Sequence, residues 1–225
     1  MKEKDKIDRA FHAVIFDLDG TLLNSVEDIA DSMNTVLKEM GDEPHPVHSY
    51  KSFTGEGIYL LVRRALPQDK QDNTTIEKCV QRMKVEYSKR WFRKSGLYEG
   101  IPGLLDELSG KGIKMNVLSN KPDEFTKRVV YHFLRQWSFE RVVGGNSSRP
   151  QKPQPHGAIQ ISRDIKVPPA HFLYLGDSGT DMKTARSARM FAVGALWGFR
   201  DRKELIHNGA QKVVKSPSEV LDFFI

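Results

Sequence analysis

The chain of 225 residues has a single cysteine, Cys79, and lacks the roughly 18–20 consecutive apolar residues that a membrane span needs. One cysteine excludes an internal disulfide framework. The first residues, MKEKDKIDRAFHAV, carry charges but no apolar core of a secretory signal. We therefore expect a soluble, cytoplasmic protein with no membrane partner.

Concentrated basic patches are also scarce, although the net charge is +6, with 35 Lys and Arg against 29 Asp and Glu. The densest groups are Arg63-Arg64 and the stretch from Lys89 to Lys94, which lie in helix-like sequence and are typical of a solvated face. No nucleic-acid motif accompanies them, so we expect no nucleic-acid partner. A diffuse positive field favours a small anionic substrate instead.

Short apolar runs recur along the chain, and turn residues follow each of them. They are too short for buried helices and rich in Val, Ile, Leu and Phe, as strands covered on both faces are. Helix signals between most of them, at 102–108, 123–134 and 180–188, predict an α/β fold with a parallel sheet. The predicted strands are Ala13–Phe16, Met115–Leu118, Arg141–Val143, Phe172–Leu175, Phe191–Leu196 and Val213–Val214.

One interval breaks this alternation, because roughly ninety residues separate the first two strands, where a crossover needs about a dozen. An inserted helical domain explains the length. Its first helix is predicted from Val26 to Met40, with Ser25 as the N-cap and Gly41 as the stop. A second amphipathic helix covers 58–66, and a third runs from about Thr74 to Trp91.

Polar residues follow several predicted strands at the sheet edge where α/β proteins bind their ligands. By themselves, Asp17 and Asp19 are equally consistent with a turn that caps the next helix. The ordered combination favours a functional site. Its members are Asp17 and Asp19, then Ser119 and Asn120, then Lys152 within a PQKP stretch, and finally Asp177, Ser178 and Asp181.

These residue types are suited to phosphoryl chemistry. Carboxylates that converge in one crevice repel each other unless a cation neutralises them, and oxygen ligands select Mg²⁺. Ser119, backbone N–H groups near Gly20 and the Lys152 ammonium can bind phosphoryl oxygens. One aspartate could attack phosphorus to form an aspartyl phosphate, while Asp19 protonates the leaving oxygen and later deprotonates water.

The motifs together resemble the haloacid dehalogenase superfamily, specifically a phosphoglycolate-phosphatase-like hydrolase with a helical cap. The first motif, DxDGT, matches Asp17 to Thr21, and the second, a serine or threonine at a strand end, matches Ser119. The third, a lysine in KPxP, matches Lys152, and the fourth, GDxxxD, matches residues 176–181. The resemblance implies a Rossmann-like core of residues 1–22 and 96–225, with a cap of residues 23–95.

The resemblance also implies roles for individual residues. Asp17 would be the nucleophile and Asp19 the general acid and base, and Ser119 and Lys152 would complete the catalytic set. Mg²⁺ would be bound by the Asp17 carboxylate, the Asp19 backbone carbonyl and Asp177. Ser178 and Asp181 would support the site. The implied substrate-binding residues are Thr21, Asn120, Gly55, Glu56 and Arg63.

The expected function is Mg²⁺-dependent hydrolysis of a small phosphorylated metabolite by a monomer or a homodimer. Two other functions stay open. A phosphomutase would use the same two acids but pass the phosphoryl group to a sugar, although Thr21 resembles the phosphatase form of the motif. A non-catalytic phospho-binding protein, such as a receiver, would be about half this length and lack a cap.

Two further patterns are weaker. Gly55-Glu56-Gly57 has no strand before it, so it does not predict a dinucleotide site. His45 and His48 have no acid or cysteine partner at a metal-binding spacing, and we expect exposed loop histidines there.

Overall fold

The computed structural model describes residues 10–146 and 149–224. Its strands in chain order are β1 (Ala13–Phe16), β2 (Leu23–Asn24), β3 (Gly96–Leu97), β4 (Lys114–Pro122), β5 (Arg141–Gly145), β6 (Phe172–Gly176), β7 (Phe191–Ala195) and β8 (Lys212–Val214). Six of them form the central sheet in the order β5-β4-β1-β6-β7-β8, with every neighbouring pair parallel. The predicted α/β class and all six predicted strands are confirmed.

Alternation along the buried strands divides the core into two layers. In β1, Val14 and Phe16 join one apolar cluster, whereas Ala13 and Ile15 join the cluster on the opposite face. Helices α5 (Ile101–Gly110) and α6 (Asp123–Leu134) cover the first face. Helices α7 (His156–Asp164), α8 (Gly179–Ser187) and α9 (Arg202–His207) cover the second.

Four α-helices lie between β2 and β3 in the chain and pack around a separate apolar cluster, to which α6 adds Phe125. They are α1 (Val26–Glu39), α2 (Val47–Phe53), α3 (Ile58–Ala65) and α4 (Asn73–Ser88). Cys79 is buried in this cluster. Helix α2 was not predicted, because it has seven residues and buries only Tyr50, which leaves no apolar periodicity to detect.

The helical insertion returns to the sheet through an antiparallel ribbon in which β2 pairs with β3. Beside it, the buried carboxylate of Asp28 in α1 accepts hydrogen bonds from the N–H groups of Lys94 and Ser95, at 3.0 and 2.8 Å. The Ser95 hydroxyl donates a third at 2.7 Å. Asp28 therefore fixes the returning segment to α1.

No helix in the described part of the chain is long and apolar enough to span a bilayer.

We expect Asp28→Ala to lower the free energy of unfolding by about 2–3 kcal/mol, because it leaves buried N–H donors without an acceptor. Asp31→Ala is the matched control, since Asp31 is on the same helix but pairs with Lys94 at the surface. It should cost at most about 1 kcal/mol. Urea denaturation of both variants measures the difference, and equal losses would contradict the anchoring role of Asp28.

Candidate active site

Three acids meet at the carboxyl ends of β1 and β6, which are neighbours in the sheet. The Asp17 N–H donates to the Leu175 carbonyl at 3.0 Å, so the ladder continues one residue past β1. Asp177 follows β6, and Asp181 lies in the first turn of α8. One carboxylate oxygen of each lies within 4.8 Å of the others, and all three acids are buried. The fold therefore assembles acids that are far apart in sequence.

Lys152 is the cation nearest to this cluster. Its Nζ lies 2.8 Å from Asp17 Oδ1 and 2.7 Å from Asp181 Oδ1, with only 2% of its side chain exposed. Asn120 fixes the backbone on which it sits: the Asn120 Oδ1 accepts from the Lys152 N–H and its Nδ2 donates to the Lys152 carbonyl, both at 2.9 Å. The structure thus delivers Lys152 to the position expected of the third motif.

The cluster carries more negative charge than Lys152 offsets. Burial, with the nearby Asp181 carboxylate, raises the pKa of Asp17 to about 8 even though Lys152 opposes the shift. Burial and Asp181 also raise the pKa of Asp177 to about 7. Burial lowers the pKa of Lys152, but the Asp17 and Asp181 carboxylates outweigh it and hold that pKa well above its usual value. The fold therefore holds the three acids close together even though their ionised forms repel each other.

The turn after β1 and the loop after β7 hold Asp177 from two sides. Thr21 Oγ1 donates to Asp177 Oδ1 at 3.1 Å, and the Phe199 N–H donates to Oδ2 at 2.7 Å. Trp197 Nε1 donates to the Thr21 carbonyl at 2.9 Å and ties the two segments together. Thr21 is fully buried and its hydroxyl positions Asp177, while its substrate-binding role stays a prediction.

Ser178 and Asp181 form a capping box at the start of α8. The Ser178 N–H and hydroxyl donate to Asp181 Oδ2 at 3.1 and 2.6 Å, while Asp181 Oδ1 accepts from Lys152. Both oxygens of Asp181 are therefore engaged within the chain. This geometry fits the supporting role that the sequence predicted for both residues.

Asp19 lies outside that cluster and has its own partners. Lys121 Nζ donates to both carboxylate oxygens of Asp19, at 2.7 and 2.9 Å, and the Ser25 hydroxyl donates to Oδ1 at 2.6 Å. Ser25 occupies the N-cap position of α1, as predicted, but its hydroxyl makes no cap hydrogen bond to the helix. The Ser25 hydroxyl donates to Asp19 instead.

Lys121 is the residue of this site that the sequence did not single out. It is buried directly after Ser119 and Asn120, and its Nζ lies 4.6 Å from the centre of the Tyr87 ring of α4. Burial lowers the pKa of Lys121, but the Asp19 carboxylate outweighs it and raises that pKa above its usual value. Its position directly after the second motif is the one sequence feature that suggests a place in the site. Only the fold shows that its ammonium contacts Asp19.

Ser119 and Asn120 sit inside β4, where the pairing with β5 is irregular between Leu118 and Pro122. The Ser119 hydroxyl accepts from the Lys121 N–H at 3.2 Å and lines the cavity beside Asp17. Besides holding Lys152, the Asn120 Nδ2 donates to the Gly55 carbonyl at 3.1 Å. Asn120 also lines the cavity, so its amide braces the Lys152 backbone and Gly55 beside it, and its substrate-binding role stays a prediction.

The predicted cap residues divide into those at the cavity and those away from it. Gly55 lines the cavity, on the loop between α2 and α3. Glu56 forms an ion pair with Arg64, which also donates to the Phe53 carbonyl at 3.2 Å. Arg63 is exposed and does not belong to the described cavity lining. The fold therefore brings Gly55 to the site, but not the Arg63 side chain.

Arg200 connects this loop to the segment after β7, and no sequence motif pointed to it. It follows β7 and donates to the Thr54 carbonyl at 2.9 Å and to the Lys51 carbonyl at the end of α2. Its Nε lies 3.3 Å from Glu204 Oε2. A cation at the carboxyl end of a helix is favourable, since the last carbonyls of the helix have no partners within it.

Residues 14–195 match the model of the family described as haloacid dehalogenase-like hydrolase. The phosphoglycolate phosphatase of Psychrobacter arcticus is 28% identical over 218 residues, which cover 94% of this chain and 95% of that protein. The phosphoglycolate phosphatase of Nitrosospira multiformis is 28% identical over 207 residues, covering 91% of each.

Solved structures agree with this family at the level of the fold. A protein from Lactobacillus delbrueckii subsp. bulgaricus superposes with a TM-score of 0.89 at 26% identity, covering 96% of this chain and 99% of that one. A haloacid dehalogenase-like family hydrolase from Streptococcus pneumoniae superposes with a TM-score of 0.85 at 23% identity, covering 96% and 99%. Because the family model matches the chain from β1 through β7, the chain belongs to the haloacid dehalogenase-like hydrolase family.

Proposed function

We propose that this chain is a Mg²⁺-dependent phosphatase that hydrolyses a small phosphomonoester through an aspartyl phosphate at Asp17. The observation that carries the proposal is the meeting of Asp17, Lys152 and Asp177 beside a cavity that Ser119 also lines. The relatives named phosphoglycolate phosphatase, which align over nearly the whole chain, support the reaction class.

The donor set fits a divalent metal ion. Asp17 and Asp177 offer hard carboxylate oxygens that suit Mg²⁺, and the raised pKa values of both acids reflect burial and repulsion that such a cation would relieve. Gly20, at φ +88°, lets the backbone pass close to Asp177, because a Cβ there would lie 2.2 Å from Asp177 Oδ2. Asp17, Asp177 and the Asp19 carbonyl would hold the ion, which would neutralise charge on the phosphoryl oxygens.

The remaining groups suit a phosphoryl group placed next to Asp17. Ser119 accepts a hydrogen bond from Lys121, so its own hydroxyl proton can be donated to a phosphoryl oxygen in the cavity. Lys152, already 2.8 Å from Asp17, supplies positive charge where the phosphoryl oxygens gather in the transition state. Asn120 holds Lys152 in place and so acts on the reaction indirectly.

The chemistry divides into two displacements at phosphorus. The Asp17 carboxylate attacks, the bond from phosphorus to the substrate oxygen breaks, and Asp19 gives its proton to the leaving alkoxide. Water then attacks the aspartyl phosphate, Asp19 takes a proton from it, and the bond from phosphorus to Asp17 breaks to release inorganic phosphate. Lys121 and Ser25 keep the Asp19 carboxylate oriented through both steps.

We also propose that residues 23–95 are a cap on a core formed by residues 1–22 and 96–225; residues 1–9, 147–148 and 225 lie outside the described part of the chain. The β2–β3 ribbon lies at both proposed boundaries, and the four intervening helices have their own apolar cluster. The contacts of Gly55 with Asn120 and of Thr54 with Arg200 would keep the cap closed over the cavity and exclude water.

Asp17→Asn should reduce kcat/KM for phosphate release at least about a thousandfold, because an amide cannot serve as the nucleophile. Asp69→Asn, the same change at an exposed acid, is the control and should retain wild-type rates. Phosphate release from a panel of phosphomonoesters, with Mg²⁺ present, measures the effect. Retained activity in Asp17→Asn would refute the mechanism, and phosphoryl transfer to a sugar without phosphate release would favour a mutase.

Mg²⁺ should raise the Tm of the wild-type chain by about 3–6 °C at ten times its Kd, which corresponds to about 1.4 kcal/mol of linkage stabilisation. Asp177→Asn should lose most of this shift, because it removes a proposed ligand. Asp69→Asn should retain it. Calorimetry with and without MgCl₂ provides a readout independent of turnover. Equal shifts in wild type and Asp177→Asn would contradict the proposed site.

A further inference from the structure

We infer that this site takes phosphomonoesters whose leaving group is neutral and mainly apolar, an alcohol bearing a hydrocarbon chain or ring. This inference rests on the proposed function and names its substrate class. The relatives named phosphoglycolate phosphatase indicate a leaving group with a second anion, so the two substrate classes can be separated by experiment.

The wall that faces the acids is apolar. Six side chains from four helices form it, and five of them are nearly fully buried, which shows that the helical insertion encloses this space. A hydrocarbon group that contacts such a wall is removed from water, and the favourable free energy grows with the apolar area covered. The six are Ile29 of α1, Ile58 and Leu61 of α3, Met83 and Tyr87 of α4, and Phe125 of α6.

The same wall has little to offer a second anion. Of the described residues that line the cavity, Lys121 is the only basic one, and both of its short contacts go to Asp19. A substrate carboxylate would have to share the single Lys121 charge with Asp19, or lie against hydrocarbon with the uncharged Tyr87 hydroxyl as its donor. Either arrangement is unfavourable, because a charge removed from water needs a partner.

The basic residues near the α2–α3 loop do not supply a free positive charge to the cavity. Arg64 pairs with Glu56, and Arg200 donates to carbonyls of the α2–α3 loop. Arg63, which the sequence suggested for a substrate carboxylate, is exposed outside the described lining. The charge arrangement and the apolar wall therefore favour the same class of leaving group.

The deciding measurement is kcat/KM of the wild-type chain with Mg²⁺ for three alkyl phosphomonoesters: benzyl phosphate, propyl phosphate and 2-phosphoglycolate. All three esters release an alcohol and not an acidic phenol, so differences in leaving-group acidity do not determine the order of their kcat/KM values. We expect benzyl phosphate to exceed 2-phosphoglycolate by about tenfold or more. Propyl phosphate should lie between them, because it covers less of the wall.

Ile58→Arg tests the wall directly. Ile58 begins α3 and is half-buried, so the longer side chain can reach the cavity from its edge. Ile58→Arg should lower the ratio of benzyl phosphate to 2-phosphoglycolate at least about tenfold. Ile58→Met, which keeps the wall apolar and of similar volume, should leave the ratio within about threefold of wild type. Circular dichroism confirms that each variant is folded.

The outcomes separate this inference from the function on which it rests. Hydrolysis of none of the three esters by the folded wild-type chain would count against the proposed phosphatase function itself. Hydrolysis that favours 2-phosphoglycolate would leave the phosphatase standing and overturn the apolar substrate class. A ratio that does not move in Ile58→Arg would remove Ile58 from the wall and overturn the assignment of specificity to these helices.

Discussion

The ion pairs of Lys152 with Asp17 and Asp181 are the interaction on which the site depends. One ammonium, with 2% of its side chain exposed, lies within 2.8 Å of two carboxylates that would otherwise repel each other at the end of the sheet. Asn120 places that ammonium by bonding both backbone groups of Lys152, and it also holds Gly55 of the helical insertion. The position of the Lys152 charge and the contact with the helical insertion therefore depend on the same amide.

A second lysine gives the two acids of the first motif different surroundings. Asp17 shares Lys152 with buried carboxylates, whereas Asp19 has Lys121 and the Ser25 hydroxyl to itself. Surroundings decide what a carboxyl group does in catalysis, and here they differ for identical residues two positions apart. The division agrees with one acid acting on phosphorus and the other on protons. Lys121 reaches Asp19 from β4, so neighbouring strands set the difference.

The strand ends could be predicted from the sequence, because short apolar runs followed by polar residues report both burial and the edge of a parallel sheet. The hydrogen-bond partner of each polar side chain could not be predicted in this way. Ser25 has the sequence position of an N-cap, yet its hydroxyl is taken by Asp19, which the turn after β1 folds back toward it. Thr21 belongs to a motif associated with the substrate, and its hydroxyl holds Asp177. Arg200 finds its carbonyl partners about 150 positions earlier in the chain, a contact no local pattern encodes.

The residues proposed for catalysis and the residues proposed for substrate selection come from different parts of the chain. The acids and lysines lie in β4, in the loops that follow β1, β5 and β6, and at the start of α8, whereas most of the cavity lining comes from the helices between β2 and β3 and from the loop that joins two of them. Ile29, Leu61 and Met83 belong at once to that wall and to the apolar cluster that holds the helices together. A substitution at these positions that altered the substrate preference would therefore also disturb the packing of the helices. Ile58, half-buried at the start of α3, is less constrained, so divergence of specificity is least costly at the edge of the wall.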